Sequence, residues 1–70
     1  MELTDIQRRL RECIKGSGIP QKIIAQKIGV SAQTVSKYMK QDIFPALDTF
    51  AKLCALLDIK SDYILGIGEH

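Results

Sequence analysis

A glycine and a serine two residues apart constrain the fold of this chain more than any other feature. Gly29 and Ser31 lie in the stretch IGVS, between two runs in which apolar residues recur at intervals of three and four. Glycine accepts the left-handed backbone conformation that closes a helix. Serine is a favoured cap for the first amides of the next helix. The pair therefore predicts a tight corner between two short helices.

The same three-and-four spacing continues along the chain, and no strand-like alternation of useful length occurs. The chain is therefore predicted to be all-α, with about five short helices. Helix 1 is expected over about residues 5–15, with Thr4 and Gln7 as a capping box and the glycines of 16–18 ending it. Helix 2 is expected to begin near Pro20, because proline is favoured in a first turn.

The second half of the chain predicts three further helices. Helix 3 is expected over about residues 32–39. Helix 4 follows Pro45, since the residue before a proline is driven out of the helical region. A last short helix, 62–65, is expected to be capped by Ser61 and ended by Gly66. The broad apolar face of helix 4 is predicted to comprise Leu47, Phe50, Ala51, Leu53, Cys54 and Leu57.

Length and composition predict one small globular domain, residues 1–70. Hydrophobic residues make up 46% of the chain and charged residues 26%, which argues against disorder. No apolar run approaches the roughly 20 residues of a membrane span. The N-terminal MELTDIQRRL shows no apolar stretch after its charges, so no secretory signal is visible. The cytoplasm is the expected compartment.

The cysteines and the histidine favour neither a metal site nor a cofactor. Cys13 and Cys54 are far apart, no C-x-x-C pair occurs, and His70 is the only histidine. A structural metal site needs about four ligands, usually in close pairs. Both cysteines are predicted to be small buried apolar residues, with a disulfide as the alternative that a reducing compartment disfavours. No metal, cofactor or small-molecule ligand is expected.

Charge is distributed unevenly although the net charge is only +2. Residues 1–41 carry eight Lys and Arg and three acids, whereas residues 42–70 carry two Lys and five acids. No acid occurs between Cys13 and Gln41, a stretch that contains five lysines. Such an asymmetry orients a protein toward a polyanion, and its alternative is a surface that is merely uneven.

Helix 3 has an inner and an outer side. Val35, six residues after Gly29, is expected to point into the core, and Ala25 supplies the small side chain where helices 2 and 3 approach. Two helices joined by a short glycine-containing corner have helix-turn-helix geometry. On the outer side, glutamine and lysine are residue types that pair with adenine and guanine, respectively, in the major groove of DNA. The alternative is that this side is an ordinary solvated helix face. The outer side comprises Gln33, Thr34, Ser36, Lys37 and Lys40.

These residues resemble a known family. The stretch PQKIIAQKIGVSAQTVSKYM looks like the helix-turn-helix of the lambda-repressor/Cro superfamily, the XRE-type regulators, and the likeness continues through Pro45 to SDYILG at 61–66. It implies a compact five-helix domain that binds double-stranded operator DNA as a homodimer on an inverted repeat and regulates, most simply represses, transcription in a bacterium or phage. By position, it implies base contacts from Ala32, Gln33, Ser36 and Lys37 and phosphate contacts from Gln21, Ser31 and Lys40.

The chain also departs from the family pattern. Ile14 stands where helix 1 often has Arg, Met39 where helix 3 often ends on an acid, and Gln41 where a glycine often follows. Ile23 occupies a usually polar position, either as an ordinary exposed residue or as a contact with another chain. Residues considered for a dimer surface, most of them expected in the core, are Ile43, Phe44, Ile59, Ile64, Leu65 and Ile67.

Two other classes of function compete with DNA binding. A protein-interaction module on the same fold, such as an accessory or antitoxin-like partner of another regulator, is compatible with the helices. It would not need a helix 3 without acids. An enzyme is not expected, because no paired carboxylates, Cys–His pair or phosphate-cradling glycine motif occurs.

Overall fold

A computed structural model describes residues 2–67, and within that range the chain forms five helices and no strand. The all-α, five-helix prediction is therefore confirmed. The predicted limits of helices 1 and 3 were short by one or two residues at the ends. The helices are α1 (Leu3–Gly16), α2 (Gln21–Ile28), α3 (Ala32–Lys40), α4 (Leu47–Leu57) and α5 (Ser61–Leu65).

The corner between α2 and α3 forms as predicted. Gly29 adopts the left-handed conformation with φ of 80°. The amides of Gly29 and Val30 both donate to the carbonyl of Ala25, at 2.9 and 3.0 Å. The hydroxyl oxygen of Ser31 then accepts from the amide of Thr34 at 3.1 Å. Helix α2 is thus closed and α3 opened within three residues.

One hydrophobic core holds α3 in place. Helix α2 packs against α3 and α4, and α1 packs against α3 and α5. Burying a large aliphatic side chain contributes about 1.5–3 kcal/mol, so a core shared by all five helices fixes their relative positions. Its members are Leu10, Ile14, Ile24, Ala25, Ile28, Val35, Tyr38, Leu53, Cys54 and Ile64.

Two predicted caps were wrong. Helix α1 starts two residues earlier than expected, because the carbonyl of Glu2 accepts from the amides of Asp5 and Ile6 at 3.1 and 3.2 Å. Thr4 therefore lies inside the helix and caps nothing. Ser61 is likewise the first residue of α5 and makes no capping hydrogen bond, since Lys60 occupies the N-cap position.

The predicted apolar face of α4 was too broad. Leu53 and Cys54 are buried, and Phe50 and Leu57 are partly buried. Leu47, the first residue of the helix, is 84% exposed. Ala51 is also exposed.

The cysteines are free thiols, with Cys54 buried and Cys13 partly buried against the core. Burial raises the pKa of both thiols above the ordinary value. The neighbouring Glu12 also raises the pKa of Cys13, and Cys13 in turn raises the pKa of Cys54. Within residues 2–67 no cluster of three potential ligands is arranged for a metal ion, and no helix is long and apolar enough to cross a membrane. His70 lies outside the described residues.

We expect Gly29→Ala to lower the free energy of unfolding by about 1–2 kcal/mol, because an L side chain is strained in the left-handed conformation. Gly16→Ala is the matched control. A Cβ at either glycine meets no atom within 4 Å, so the two positions differ in backbone conformation and not in available space. Alanine at Gly16, the last residue of α1, should be neutral or mildly stabilising. Urea unfolding of both variants measures the difference, and equal stabilities would contradict the proposed role of the corner.

Candidate nucleic-acid interface

The outward side of α3 presents the polar residues that the sequence predicted. Val35 and Tyr38, three residues apart, are buried and face the core. Ala32, Gln33 and Lys37 are exposed, and Ser36 is partly buried at the edge of the helix. These four predicted base-contacting residues therefore belong to the part of α3 that turns away from the core. The side has the width of one helix, which the major groove of DNA admits.

The three residues predicted to contact phosphates lie at helix ends. Gln21 is exposed at the first position of α2, and Lys40 is exposed at the last position of α3. Ser31 is the exposed N-cap of α3, and its hydroxyl lies 2.9 Å from that of Thr34. A hydroxyl that accepts from an amide still has a proton to donate. The first amides of α2 and α3 add the positive end of two helix dipoles.

Lysine is the only charged residue type in α2 and α3. Neither helix contains an acid, and they carry Lys22, Lys27, Lys37 and Lys40. The salt bridges found within residues 2–67 join Arg8 to Asp5 at 3.8 Å and to Glu12 at 3.4 Å, all on α1. Ion pairs at such exposed positions contribute little to stability. The positive charge of the two helices is thus left unneutralised by ion pairing in this part of the chain.

A contact between α1 and the end of α3 was missed by the sequence analysis. Arg11 Nε donates to the carbonyl of Tyr38 at 2.9 Å, and Arg11 Nη2 donates to the carbonyl of Gln41 at 2.9 Å. Gln7 Nε2 donates to the same Gln41 carbonyl at 3.0 Å. We call Gln7 and Arg11 the α1 clasp. The capping box predicted that Gln7 binds the start of its own helix. Gln7 binds a distant carbonyl instead.

One sequence signal pointed to this contact. Gln41 stands where the family often has a glycine, and Gln41 ends α3 in an extended conformation with φ of −123°. A helix that ends without a left-handed residue leaves carbonyls to be satisfied by other donors. That signal says that donors are needed but not which side chains supply them.

Two short helices joined by a glycine corner, with the second presenting a polar side without acids, define a helix-turn-helix domain. The chain belongs to the helix-turn-helix family, whose model matches residues 10–64. The expected resemblance is thus confirmed.

Curated relatives agree with this assignment. The chain is 34% identical over 62 residues to the HTH-type transcriptional regulator ImmR of Bacillus subtilis (strain 168), a match that covers 89% of this chain and 49% of that protein. It is 33% identical over 62 residues to the uncharacterized HTH-type transcriptional regulator YobD of the same organism, covering 89% of this chain and 55% of the relative. The chain spans about half the length of these relatives.

No solved structure gives a significant match. Both relatives are named as HTH-type transcriptional regulators.

We expect Ser31→Ala to destabilise the protein by about 1 kcal/mol, because the amide of Thr34 loses its acceptor at the start of α3. Ser61→Ala is the matched control, since Ser61 caps nothing and should change stability by less than about 0.5 kcal/mol. Thermal unfolding of both variants measures the difference. A loss at Ser61 as large as that at Ser31 would contradict the assignment of caps.

Proposed function

We propose that this domain binds double-stranded DNA in a sequence-specific manner and represses transcription as a homodimer on an inverted-repeat operator. The observation that carries the proposal is the exposed, acid-free side of α3, held at a fixed angle to α2 by the corner at Gly29. This side would enter the major groove. The whole of residues 1–70 would act as one DNA-binding unit, in the cytoplasm of a bacterium and against its nucleoid, whether chromosomal or phage-encoded.

The side chains of α3 suit base edges of different kinds. Gln33 would pair with adenine through N6 and N7, and Lys37 would donate to guanine O6 and N7. Ser36 would bond either type of edge, and Ala32 would contact a thymine methyl. Sequence preference would thus come from four residues within six positions of one helix.

Phosphate contacts would set the position of the domain on the duplex. Gln21 and Ser31 lie at the N-termini of α2 and α3, where amides and helix dipole favour an anion. Lys40 adds a full charge at the other end of α3. Each phosphate neutralised by a lysine makes binding more sensitive to salt, so affinity should fall steeply as ionic strength rises.

An apolar groove supports the homodimer. Leu3, Phe44 and Leu47 are exposed and line an open groove of about 290 Å³ together with partly buried residues of α1, α4 and α5. A second copy related by a two-fold axis would cover such a surface. Of the residues that the sequence offers for this role, Ile64 is fully buried and belongs to the core, whereas Ile43, Phe44 and Ile67 are exposed.

Selection from a randomised duplex pool, with recovered sequences rebound at two salt concentrations, tests the proposal. An enriched inverted repeat with half-sites about one helical turn apart is expected. Retention without enrichment would contradict base readout, and no retention at low salt would favour the protein-interaction module.

We expect Lys37→Ala to change which sequences are preferred, with a loss of about 1–3 kcal/mol confined to operators that carry the contacted base. Lys40→Ala should instead weaken binding to all duplexes about equally and reduce the salt dependence by about one phosphate contact. Lys60→Ala is the control. Lys60 precedes α5, which packs against α1 and lies outside the helix-turn-helix, so its loss should not change binding to either duplex. Titrations of the selected operator and a scrambled duplex measure these effects. Equal losses on both duplexes for Lys37→Ala would overturn its assignment.

We expect Leu47→Glu to raise the dimer dissociation constant at least 10-fold, because it places a charge in the apolar groove. Its effect on folding should be small, since Leu47 is exposed and an acid is favourable in a first helical turn. Ile23→Glu is the matched control, an exposed apolar residue in the first turn of α2 and outside the groove. Sedimentation equilibrium without DNA measures both. A weaker dimer for Ile23→Glu alone would move the interface to α2.

A further inference from the structure

The C-terminal end of α3 is closed differently from the ends of α2, α4 and α5. Those three helices end in residues with positive φ, namely Gly29, Asp58 and Gly66. Helix α3 ends in Gln41 with an extended backbone, and within the helix the Gln41 amide reaches only the carbonyl of Lys37, at 2.8 Å. The carbonyls of Tyr38 and Gln41 are therefore satisfied from outside, by Arg11 and Gln7.

The three hydrogen bonds of the α1 clasp are suited to fixing an orientation. The guanidinium of arginine is planar and rigid. When two of its N–H groups donate to two carbonyls, they fix the angle between the guanidinium and the helix end. A cation at a helix C-terminus is also favoured by the dipole. Arg11 is partly buried and Gln7 is 5% exposed, so both side chains lie largely against the protein. The donors stand on α1, which packs against α3 from the core side.

We propose that Gln7 and Arg11 are positioning residues for DNA readout: they hold the C-terminal half of α3 at the angle at which Ser36 and Lys37 meet base edges. This inference rests on the proposed function. The corner at Gly29 anchors the N-terminal end of α3, and the α1 clasp anchors its other end.

Geometry shows why the second anchor matters. A helix of nine residues is about 13.5 Å long. A tilt of about 5° at its N-terminal end therefore displaces its far end by about 1 Å. Hydrogen bonds to base edges tolerate only about 0.5 Å in length. Phosphate contacts through a flexible lysine tolerate more, because the side chain can readjust. Loss of the α1 clasp should thus reduce discrimination between sequences more than it reduces affinity for DNA in general.

The test compares Arg11→Met with Arg8→Met. Arg8 stands on the same helix, is exposed and bonds only to acids of α1 among the contacts found there, so its loss removes the same charge without touching α3. Dissociation constants are measured for the selected operator and a scrambled duplex, over a series of salt concentrations. Circular dichroism at the same temperature gives the folded fraction of each variant, by which the constants are corrected.

For Arg11→Met, we expect the dissociation constant for the scrambled duplex divided by that for the operator to fall at least 10-fold toward unity. The affinity for the scrambled duplex and the salt dependence should stay within about twofold of those of the unchanged protein. Arg8→Met should retain the ratio. Arg11→Lys should restore it only in part, because an ammonium group lacks the planar fork. If Arg11→Met does not fold, Gln7→Met removes one of the three bonds and should lower the ratio about threefold.

Three results would overturn the inference. One is an unchanged ratio in Arg11→Met. Another is an equal loss on both duplexes with a salt dependence lower by about one contact, which would make Arg11 a phosphate ligand. A third is full restoration of the ratio by Arg11→Lys, which would show that only the positive charge of Arg11 matters. Failure of the unchanged protein to discriminate between the duplexes would contradict the proposed function itself, and is thereby distinguished from failure of the α1 clasp alone.

Discussion

Gly29 carries the backbone through a left-handed turn, and the placement of α3 depends on that single conformation. The turn lets two successive amides donate to the carbonyl of Ala25, which closes α2 without a further residue. Ser31 then opens α3 by accepting from the amide of Thr34. Because the connection is so short, the angle between the helices is set locally, and burial of Ile24 and Val35 holds it. The polar side of α3 is directed outward as a consequence.

Helix α1 serves as a frame for the rest of the domain. A chain of 70 residues buries only about 60% of its unfolded surface, so polar contacts that tie helices together matter more than in a large protein. Arg9 donates to the carbonyl of Ile64 near the end of α5 at 2.9 Å, as Arg11 donates to the end of α3. Two arginines of one helix thus satisfy the C-terminal carbonyls of two others. The Arg11 contact, which ties α1 to α3, is also the one proposed to orient the helix that reads DNA.

The distribution of charge and apolar surface divides the domain by task. Helices α2 and α3 contain lysines and no acids, which suits a polyanion. The exposed apolar residues Leu3, Phe44 and Leu47 lie in the groove bounded by α1, α4 and α5. In the proposed arrangement, helix ends and lysines position the domain on phosphates, the outer side of α3 reads bases, and a second copy covers the groove. None of these tasks requires a cavity for a substrate.

Local rules in the sequence determined the helices, the corner and the outward residues of α3. Apolar spacing and a residue that tolerates positive φ act within a few positions, so Gly29, Ser31 and Gly66 could be interpreted correctly from neighbours alone. The same local rules did not predict the roles of Thr4, Ser61 and Leu47 correctly. Several adjacent residues were able to start those helices, and the apolar spacing does not choose among them. The α1 clasp was decided only by the tertiary structure, because its donors and acceptors lie 27 to 34 residues apart. No local pattern encodes which side chain will reach an open carbonyl once five helices share one core.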